Sequence, residues 1–213
     1  MGGLLAMTGV VVLTRPVAVI WPALLACLIL AGCGASPQVT RQVMAGFSPA
    51  ITAAPVKIDA KAPMMDVAVP AQNVAGPMAQ IARRGDVIEW RSADGVGMTL
   101  RGSQIIATRG FGPDLMIADA QDANRALRHG HGTFSRSMHW LDGENHDWAE
   151  VFACTLMAAP VQPTPSELTL TETCVSPKIQ FTNTYAMSPK TRALIRTQQW
   201  VSPGLGQIKL EPR

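Results

Sequence analysis

Hydrophobic and polar side chains alternate with a period of two along much of the chain after about residue 78. Within residues 86–92, Ile88 and Trp90 alternate with Glu89 and Arg91. This period is typical of a strand with one buried face. Asp-Gly at 94–95 and Gly-Ser at 102–103 supply turns, so residues 86–108 predict a meander of three short strands.

The remainder of the chain continues in the same manner. Only residues 117–127 have a helical pattern, and it is short. Eight to ten short strands at this spacing predict an all-β fold: a single antiparallel meander-type domain, forming an open or partly closed barrel or sandwich with one short helix. The later predicted strands are 133–141, 147–158, 168–175, 178–187, 193–201 and 207–211.

The amino-terminal region has a different pattern. Apolar residues run from 17 to 30 after Arg15, which is shorter than the about 20 residues of a membrane-spanning helix and suits the core of a signal peptide. The segment ends in Leu-Ala-Gly-Cys at 30–33, which resembles the lipobox of bacterial lipoproteins. An ordinary secretory signal or a short anchor helix is the alternative. The predicted division is a lipoprotein signal peptide over 1–32, an acylated Cys33 with a flexible tether over 33–63, and an antiparallel β domain over 64–213.

The lipobox also predicts a location. Two or more acyl chains on Cys33 would anchor the protein stably in a membrane. The next residue is Gly34 rather than the aspartate of inner-membrane retention signals, which points to the periplasmic face of the outer membrane. The net charge is only +3 and no run of Lys or Arg occurs, so nothing favours nucleic-acid binding.

Two further cysteines follow within the predicted β domain. Cys154 and Cys174 lie at equal distances from Thr164, in a proline-rich connection between two predicted strands. If those strands form a symmetric hairpin, the two cysteines face each other within disulfide range. In an oxidising compartment we expect a disulfide, and two free buried thiols are the alternative.

Candidate binding residues are few. Arg109 and Asp114 flank a glycine-punctuated loop and could contact a sugar or a partner, or could form an ion pair that holds the loop. Tryptophans on strands usually pack in a core, although an exposed tryptophan, with Trp90 and Trp200 as candidates, would suit a polysaccharide ring. Four tryptophans fall on predicted strands: Trp90, Trp140, Trp148 and Trp200.

The sequence favours neither an enzyme nor a cofactor. Histidine is a common metal ligand, but the histidines here have no recognised zinc or hydrolase spacing. Ser135 and Ser137 lack the context of a catalytic nucleophile. We therefore expect no catalytic residues, no metal and no cofactor. The polar set considered was His129, His131, His139 and His146, with Asp142, Glu144 and Asp147.

Several segments together resemble the YjbF/GfcB family of group 4 capsule lipoproteins. Residues 106–116 read Ile-Ala-Thr-Arg-Gly-Phe-Gly-Pro-Asp-Leu-Met, which matches the family's T-R-G-x-G-x-D-L pattern. Residues 90–95 and 98–102, Tyr185 and residues 195–203 extend the resemblance over about 78–212. Thr-Gln-Gln at 197–199 stands where the family more often has Ser-Arg-Gln, which argues against a role for an arginine there.

The resemblance implies an antiparallel β fold and an outer-membrane lipoprotein encoded among genes for exopolysaccharide or capsule production. It brings no catalytic residues. The expected function is a non-catalytic accessory that contacts the membrane through its acylated cysteine, and export or biosynthesis components or glycan through its β domain. The alternatives are a lipid- or lipoprotein-binding β domain that resembles lipoprotein-sorting factors, and a periplasmic metallo-hydrolase acting on glycan.

Overall fold

Twelve strands pair in one antiparallel sheet in the computed structural model, which describes residues 57–141 and 147–213. One α-helix, α1 (Gln121–His129), follows the sixth strand, and a short 3-10 turn (Pro70–Gln72) separates the first two. The strands are β1 (Met64–Val69), β2 (Val74–Arg84), β3 (Val87–Arg91), β4 (Gly97–Arg101), β5 (Gln104–Arg109), β6 (Leu115–Ala118), β7 (Gly132–Leu141), β8 (Asp147–Ala158), β9 (Leu168–Val175), β10 (Gln180–Met187), β11 (Leu194–Ser202) and β12 (Gly206–Pro212).

The strand order is a meander whose first and last strands meet in the middle of the sheet. It runs β5-β4-β3-β2-β1-β12-β11-β10-β9-β8-β7-β6. β1 pairs with β12, with Val67 opposite Leu210. The sheet is nearly closed into a barrel, and its two free edges are β5 and β6. The predicted all-β meander with one short helix is confirmed.

Two details differ from the expectation. The alternation is evident in the sequence only from about residue 78, whereas the sheet begins at Met64: β1 has six residues, and small residues and Pro77 conceal the alternation in the first half of β2. The predicted helix over 117–127 starts later, since residues 115–118 form β6. The Asp119 carboxylate accepts a hydrogen bond from the Gln121 backbone N–H at 3.0 Å, and the helix ends at Gly130, which adopts a left-handed conformation with φ 83°.

The gap between β5 and β6 is bridged by side chains. Ile105 on β5 directs its backbone groups away from β4, where its N–H donates to Gln199 Oε1 at 3.0 Å and its carbonyl accepts from Arg136 Nη2 at 3.4 Å. At the β4–β5 turn, Asn124 of α1 accepts from the Ser103 N–H at 3.2 Å. Buried backbone groups need such partners, so β7, β11 and α1 satisfy an edge that no strand covers.

Behind this edge lies a buried polar network centred on Glu172 of β9, which is fully buried. Its carboxylate accepts from Arg136 Nη1 at 3.2 Å, from Asn183 Nδ2 at 3.0 Å and from the Tyr185 hydroxyl at 2.5 Å. Burial, followed by the neighbouring negative charge of Glu172, holds the pKa of Tyr185 well above its usual value. The network thus connects β7, β9 and β10 inside the barrel.

Candidate functional site

The loop between β5 and β6 contains the Thr-Arg-Gly-Phe-Gly-Pro-Asp-Leu motif, and Asp114 organises it. The carboxylate of Asp114 accepts hydrogen bonds from the Gly110 N–H at 2.7 Å, the Phe111 N–H at 3.2 Å and the Thr108 hydroxyl at 2.8 Å. The Thr108 hydroxyl oxygen in turn accepts from the Leu115 N–H at 2.9 Å. Asp114 is therefore a structural residue that shapes the loop.

This arrangement corrects the ion-pair interpretation of the motif. The Asp114 carboxylate accepts its hydrogen bonds from residues of the loop and forms no ion pair with Arg109. Arg109 lies exposed at the end of β5, on the outer face of the sheet. The aspartate and the arginine therefore have separate environments, although they lie five residues apart.

On that outer face, the Arg109 side chain forms one wall of a small cleft. Gly97 of β4 is its cross-strand partner and is also the partner of Arg91 on β3. A Cβ at Gly97 would lie 3.4 Å from Arg91 Nε and 3.7 Å from Arg91 Cζ. The Arg91 side chain therefore lies across Gly97 towards the strand that carries Arg109.

We call this feature the arginine cleft. It encloses about 210 Å³. Within the described ranges, neither guanidinium makes an ion pair, although Glu89 lies on the same face. The cleft thus holds two positive charges above a floor of small side chains. The residues that line it are Glu89, Trp90, Arg91, Gly97, Met98, Thr99, Ala107, Thr108 and Arg109, of which Glu89, Arg91, Thr99, Ala107 and Arg109 lie on the outer face.

A larger surface groove of about 700 Å³ crosses the outer face of β1, β2 and β9–β12, with Pro163 among its lining residues. Two of its charged lining residues, Asp66 and Arg196, are in ion pairs, and the other two, Lys209 and Glu211, are of opposite sign on β12. The Arg196 guanidinium lowers the pKa of Glu167, chiefly by hydrogen bonds at 2.6 and 2.7 Å. Arg213 in the same way lowers the pKa of Asp66. The charges that line the groove are therefore of both signs, whereas the arginine cleft has two arginines and one glutamate.

The tryptophans contribute to the core. Trp90 is only 6% exposed, which leaves no ring face for a sugar. Trp200 is half-buried and stacks on Phe181, with ring centroids 4.6 Å apart. Trp140 stacks on Trp148 at 4.3 Å and meets Trp200 edge-on. Trp90 therefore belongs to the core, and the rings of Trp140, Trp148 and Trp200 pack against one another and the same core cluster.

Of the polar residues considered for metal binding, the structure describes His129, His131, His139 and Asp147. His129 ends α1, and His139 lies on the outer face of β7 with its Nδ1 3.7 Å from an Asp147 carboxylate oxygen. No histidine of residues 57–141 or 147–213 belongs to a cluster of three potential metal ligands. The cluster found there is Cys154, Glu172 and Cys174, whose cysteines are bonded to each other. Asp142, Glu144 and His146 lie outside the described residues.

The cysteine pairing follows the hairpin symmetry. Cys154 on β8 and Cys174 on β9 are direct cross-strand partners, with Cα atoms 4.1 Å apart, and they form a disulfide. The predicted register about Thr164 is confirmed. Cys33, the predicted lipidation site, lies outside the described residues.

Sequence reasoning missed two groups of residues. Arg91 and Gly97 lie on predicted strands but in no predicted site. A two-residue Asp-Gly turn would place Arg91 opposite Met98, whereas the turn has three residues, Ala93, Asp94 and Gly95, and so pairs Arg91 with Gly97. The buried Arg136 and Glu172 were also missed. Each occupies a core position between hydrophobic neighbours, which is unusual for a charged side chain.

Taken together, these features define a class: a nearly closed antiparallel β domain, cross-linked by one disulfide, with a basic cleft on its outer face. A sequence model described as "Group 4 capsule polysaccharide lipoprotein gfcB, YjbF" matches residues 39–212. The chain belongs to this family of lipoproteins.

A solved structure supports the fold. The chain is similar to the hypothetical lipoprotein YmcC from Escherichia coli K12, with a TM-score of 0.60 and 14% sequence identity. The match covers 84% of this chain and 96% of YmcC. A search of curated proteins gave no significant match. In the described part of the chain, no helix has the length and apolar character needed to cross a membrane.

Proposed function

We propose that this protein is a non-catalytic accessory in the production or export of an exopolysaccharide or capsule, and that it acts from the periplasmic face of the outer membrane. The observation that carries the proposal is membership of the capsule polysaccharide lipoprotein family over residues 39–212. The acyl chains on Cys33 would hold it to the membrane, with residues 33–63 as a tether for the β domain.

The geometry of the β domain supports an accessory rather than a catalytic role. The most buried charged pair, Arg136 and Glu172, satisfies the free edge of β5 and the Tyr185 hydroxyl. Asp114 is likewise committed to a loop. These groups stabilise the scaffold, whereas catalytic groups need access to a substrate. The arginine cleft remains as a binding surface, in keeping with contact to glycan or to an export component.

Deletion of the gene tests the proposal in the organism that makes the polymer. We expect the surface polymer to fall several-fold and to return when the wild-type gene is supplied in trans. Unchanged surface polymer in the deletion strain would contradict the proposed function. Co-purification of the lipidated protein from membranes with export or biosynthesis components would identify the partner.

A double variant separates the accessory from a metallo-hydrolase. His139→Ala/His146→Ala removes both histidines that flank the β7–β8 connection. We expect this variant to restore the surface polymer fully in the deletion strain. A variant that accumulates normally on the membrane but restores no polymer would favour the hydrolase instead.

A further inference from the structure

We propose that the arginine cleft binds the carboxylate of an acidic sugar within a polysaccharide. The inference rests on the proposed function, because that function supplies polysaccharide as the ligand class. It adds a specific site, formed by Arg91, Gly97 and Arg109, and a specific ligand chemistry.

The first step in the argument is the position of the two arginines. Gly97 lies between them in the hydrogen-bonded register, and the Arg91 side chain covers it, leaving Gly97 buried. The Arg91 side chain could extend into water, but it lies across β4 instead. Two positive charges on the same face of β3 and β5, one on each side of Gly97, repel each other unless an anion lies between them, and no acid of the described residues fills that place.

The second step is the chemistry of the remaining lining. Guanidinium groups bind carboxylates through paired, charge-assisted hydrogen bonds. Glu89 and Thr99 lie beside them on the same face, and a carboxylate and a hydroxyl are suitable partners for sugar hydroxyl groups. Gly97 and Ala107 keep the floor low, so that a flat ring can approach the sheet. The cleft therefore offers complementary groups to both the acid and the ring of a uronic acid.

The negative charge of Glu89 argues against a phosphate-bearing ligand. A phosphate group carries more charge than a carboxylate, and Glu89 would face it across a cleft of about 210 Å³. A carboxylate accepts two guanidinium groups and leaves Glu89 to accept from neutral hydroxyls. A carboxylated sugar therefore fits the whole lining better than a lipid headgroup or free phosphate.

The test uses trigalacturonate as the probe and the full-length protein in detergent micelles. Binding is measured by NMR titration of the sugar signals, with the methyl ester of trigalacturonate as the uncharged control and inorganic phosphate as a competitor. We expect trigalacturonate to bind, the methyl ester not to bind measurably, and phosphate to compete only at a far higher concentration.

Four variants locate the binding. Arg91→Ala and Arg109→Ala should each weaken trigalacturonate binding at least about tenfold, because each loses a charge-assisted hydrogen bond. Gly97→Val should weaken it similarly while keeping both charges, since its side chain displaces Arg91 and fills the floor. Arg84→Ala is the matched control: Arg84 is an exposed β2 arginine outside the cleft, and binding should stay within about twofold.

Several results would overturn the inference. These are no binding of trigalacturonate, equal binding of its methyl ester, displacement by phosphate at an equal concentration, and unchanged binding by folded Arg91→Ala and Gly97→Val proteins. Circular dichroism establishes that each variant is folded. Failure here is distinguishable from failure of the proposed function, because the deletion strain reports surface polymer whether or not the cleft binds uronate.

Discussion

Asp114 and Arg109, five residues apart in one motif, have separate tasks. The Asp114 carboxylate holds the backbone of the loop through the Gly110 and Phe111 N–H groups and the Thr108 hydroxyl. Arg109 projects from the outer face of β5 into the arginine cleft. The motif therefore combines a loop-forming residue with a surface charge.

Asp114→Ala should lower the free energy of unfolding by roughly 2 kcal/mol, because three hydrogen-bond donors lose their shared acceptor. Arg109→Ala should change it by no more than about 0.5 kcal/mol, as is usual for an exposed side chain. Urea denaturation of both variants measures the difference. Equal losses would contradict this division of roles between Asp114 and Arg109.

Tyr185 is the single tyrosine of the chain, so its ionisation can be followed by ultraviolet absorbance without interference. Burial, and then the negative charge of Glu172, raise its folded-state pKa well above the ordinary value of 10.0. The native protein should therefore show no phenolate near pH 10, whereas the urea-unfolded protein titrates there. A native midpoint near 10 would contradict the buried environment.

The same shift predicts a pH dependence of stability. A raised folded-state pKa contributes stability that is fully present below about pH 10 and is lost as the pH rises through the folded-state value. The free energy of unfolding should thus decline above about pH 10. Tyr185→Phe, which cannot ionise, is the control and should lack this component of the decline.

At the scale of elements, the gap between β5 and β6 is held by side chains from strands that are distant in sequence. Arg136 of β7 contacts both the Ile105 carbonyl of β5 and Glu172 of β9. Gln199 of β11 accepts from the Ile105 N–H and donates to the Ser103 carbonyl at 2.7 Å. These contacts protect an edge that would otherwise be open to pairing with another chain.

Arg136→Met should destabilise the protein by about 3–5 kcal/mol, because it leaves Glu172 buried with an uncompensated charge. The double variant Arg136→Met/Glu172→Met should be more stable than Arg136→Met alone, since the stranded charge is then absent. Urea denaturation gives both values. Arg128→Met, at an exposed position of α1, is the control and should leave the free energy of unfolding nearly unchanged. If the double variant loses as much stability as the two single variants together, the pairing of Arg136 with Glu172 is refuted.

The β8–β9 hairpin is the second stabilised element, and its disulfide joins cysteines separated by 20 residues. Cross-linking a loop of this length stabilises a fold by about 3 kcal/mol, mainly by restricting the unfolded chain. Cys154→Ala/Cys174→Ala should lose about that amount in urea denaturation. Adding a reductant to the wild type should give a similar loss, and to the double variant no further loss.

At the scale of the whole molecule, a packed β domain belongs to a family of capsule polysaccharide lipoproteins. The proposed lipid anchor at Cys33 would determine where this domain works, and the arginine cleft would determine what it contacts. Variants can change the anchor and the cleft independently, because the cleft lies within β3–β5 and the lipobox precedes the β domain.

Cys33→Ser should abolish acylation and release the protein from the membrane fraction, because it removes the thiol that accepts the lipid. Fractionation and mass spectrometry of the amino terminus measure this. We expect the variant to restore little surface polymer in the deletion strain. A variant that stays firmly bound to the membrane would contradict lipid anchoring through Cys33.

Local patterns in the sequence were sufficient for the all-β class, the Asp-Gly hairpin and the facing cysteines. These depend on the period of two, on turn chemistry and on symmetry about Thr164, all of which involve residues close together in the chain. They were insufficient for the first half of β2, because small residues and Pro77 conceal its alternation, and for the start of α1, because Ile117 is an exposed strand residue.

The pairing of β1 with β12, the side chains that satisfy Ile105, and the arginine cleft were decided only by the tertiary structure. Each depends on which strands lie side by side and on where a side chain points, and residues far apart in the chain determine both. Gln199 lies 94 residues from Ile105, and no local pattern specifies such a contact. The local sequence pattern was enough to predict an antiparallel sheet, and the lipobox to predict a membrane anchor. How the sheet closes, and which charged side chains meet on its outer face, depend on contacts between residues that are distant in the chain.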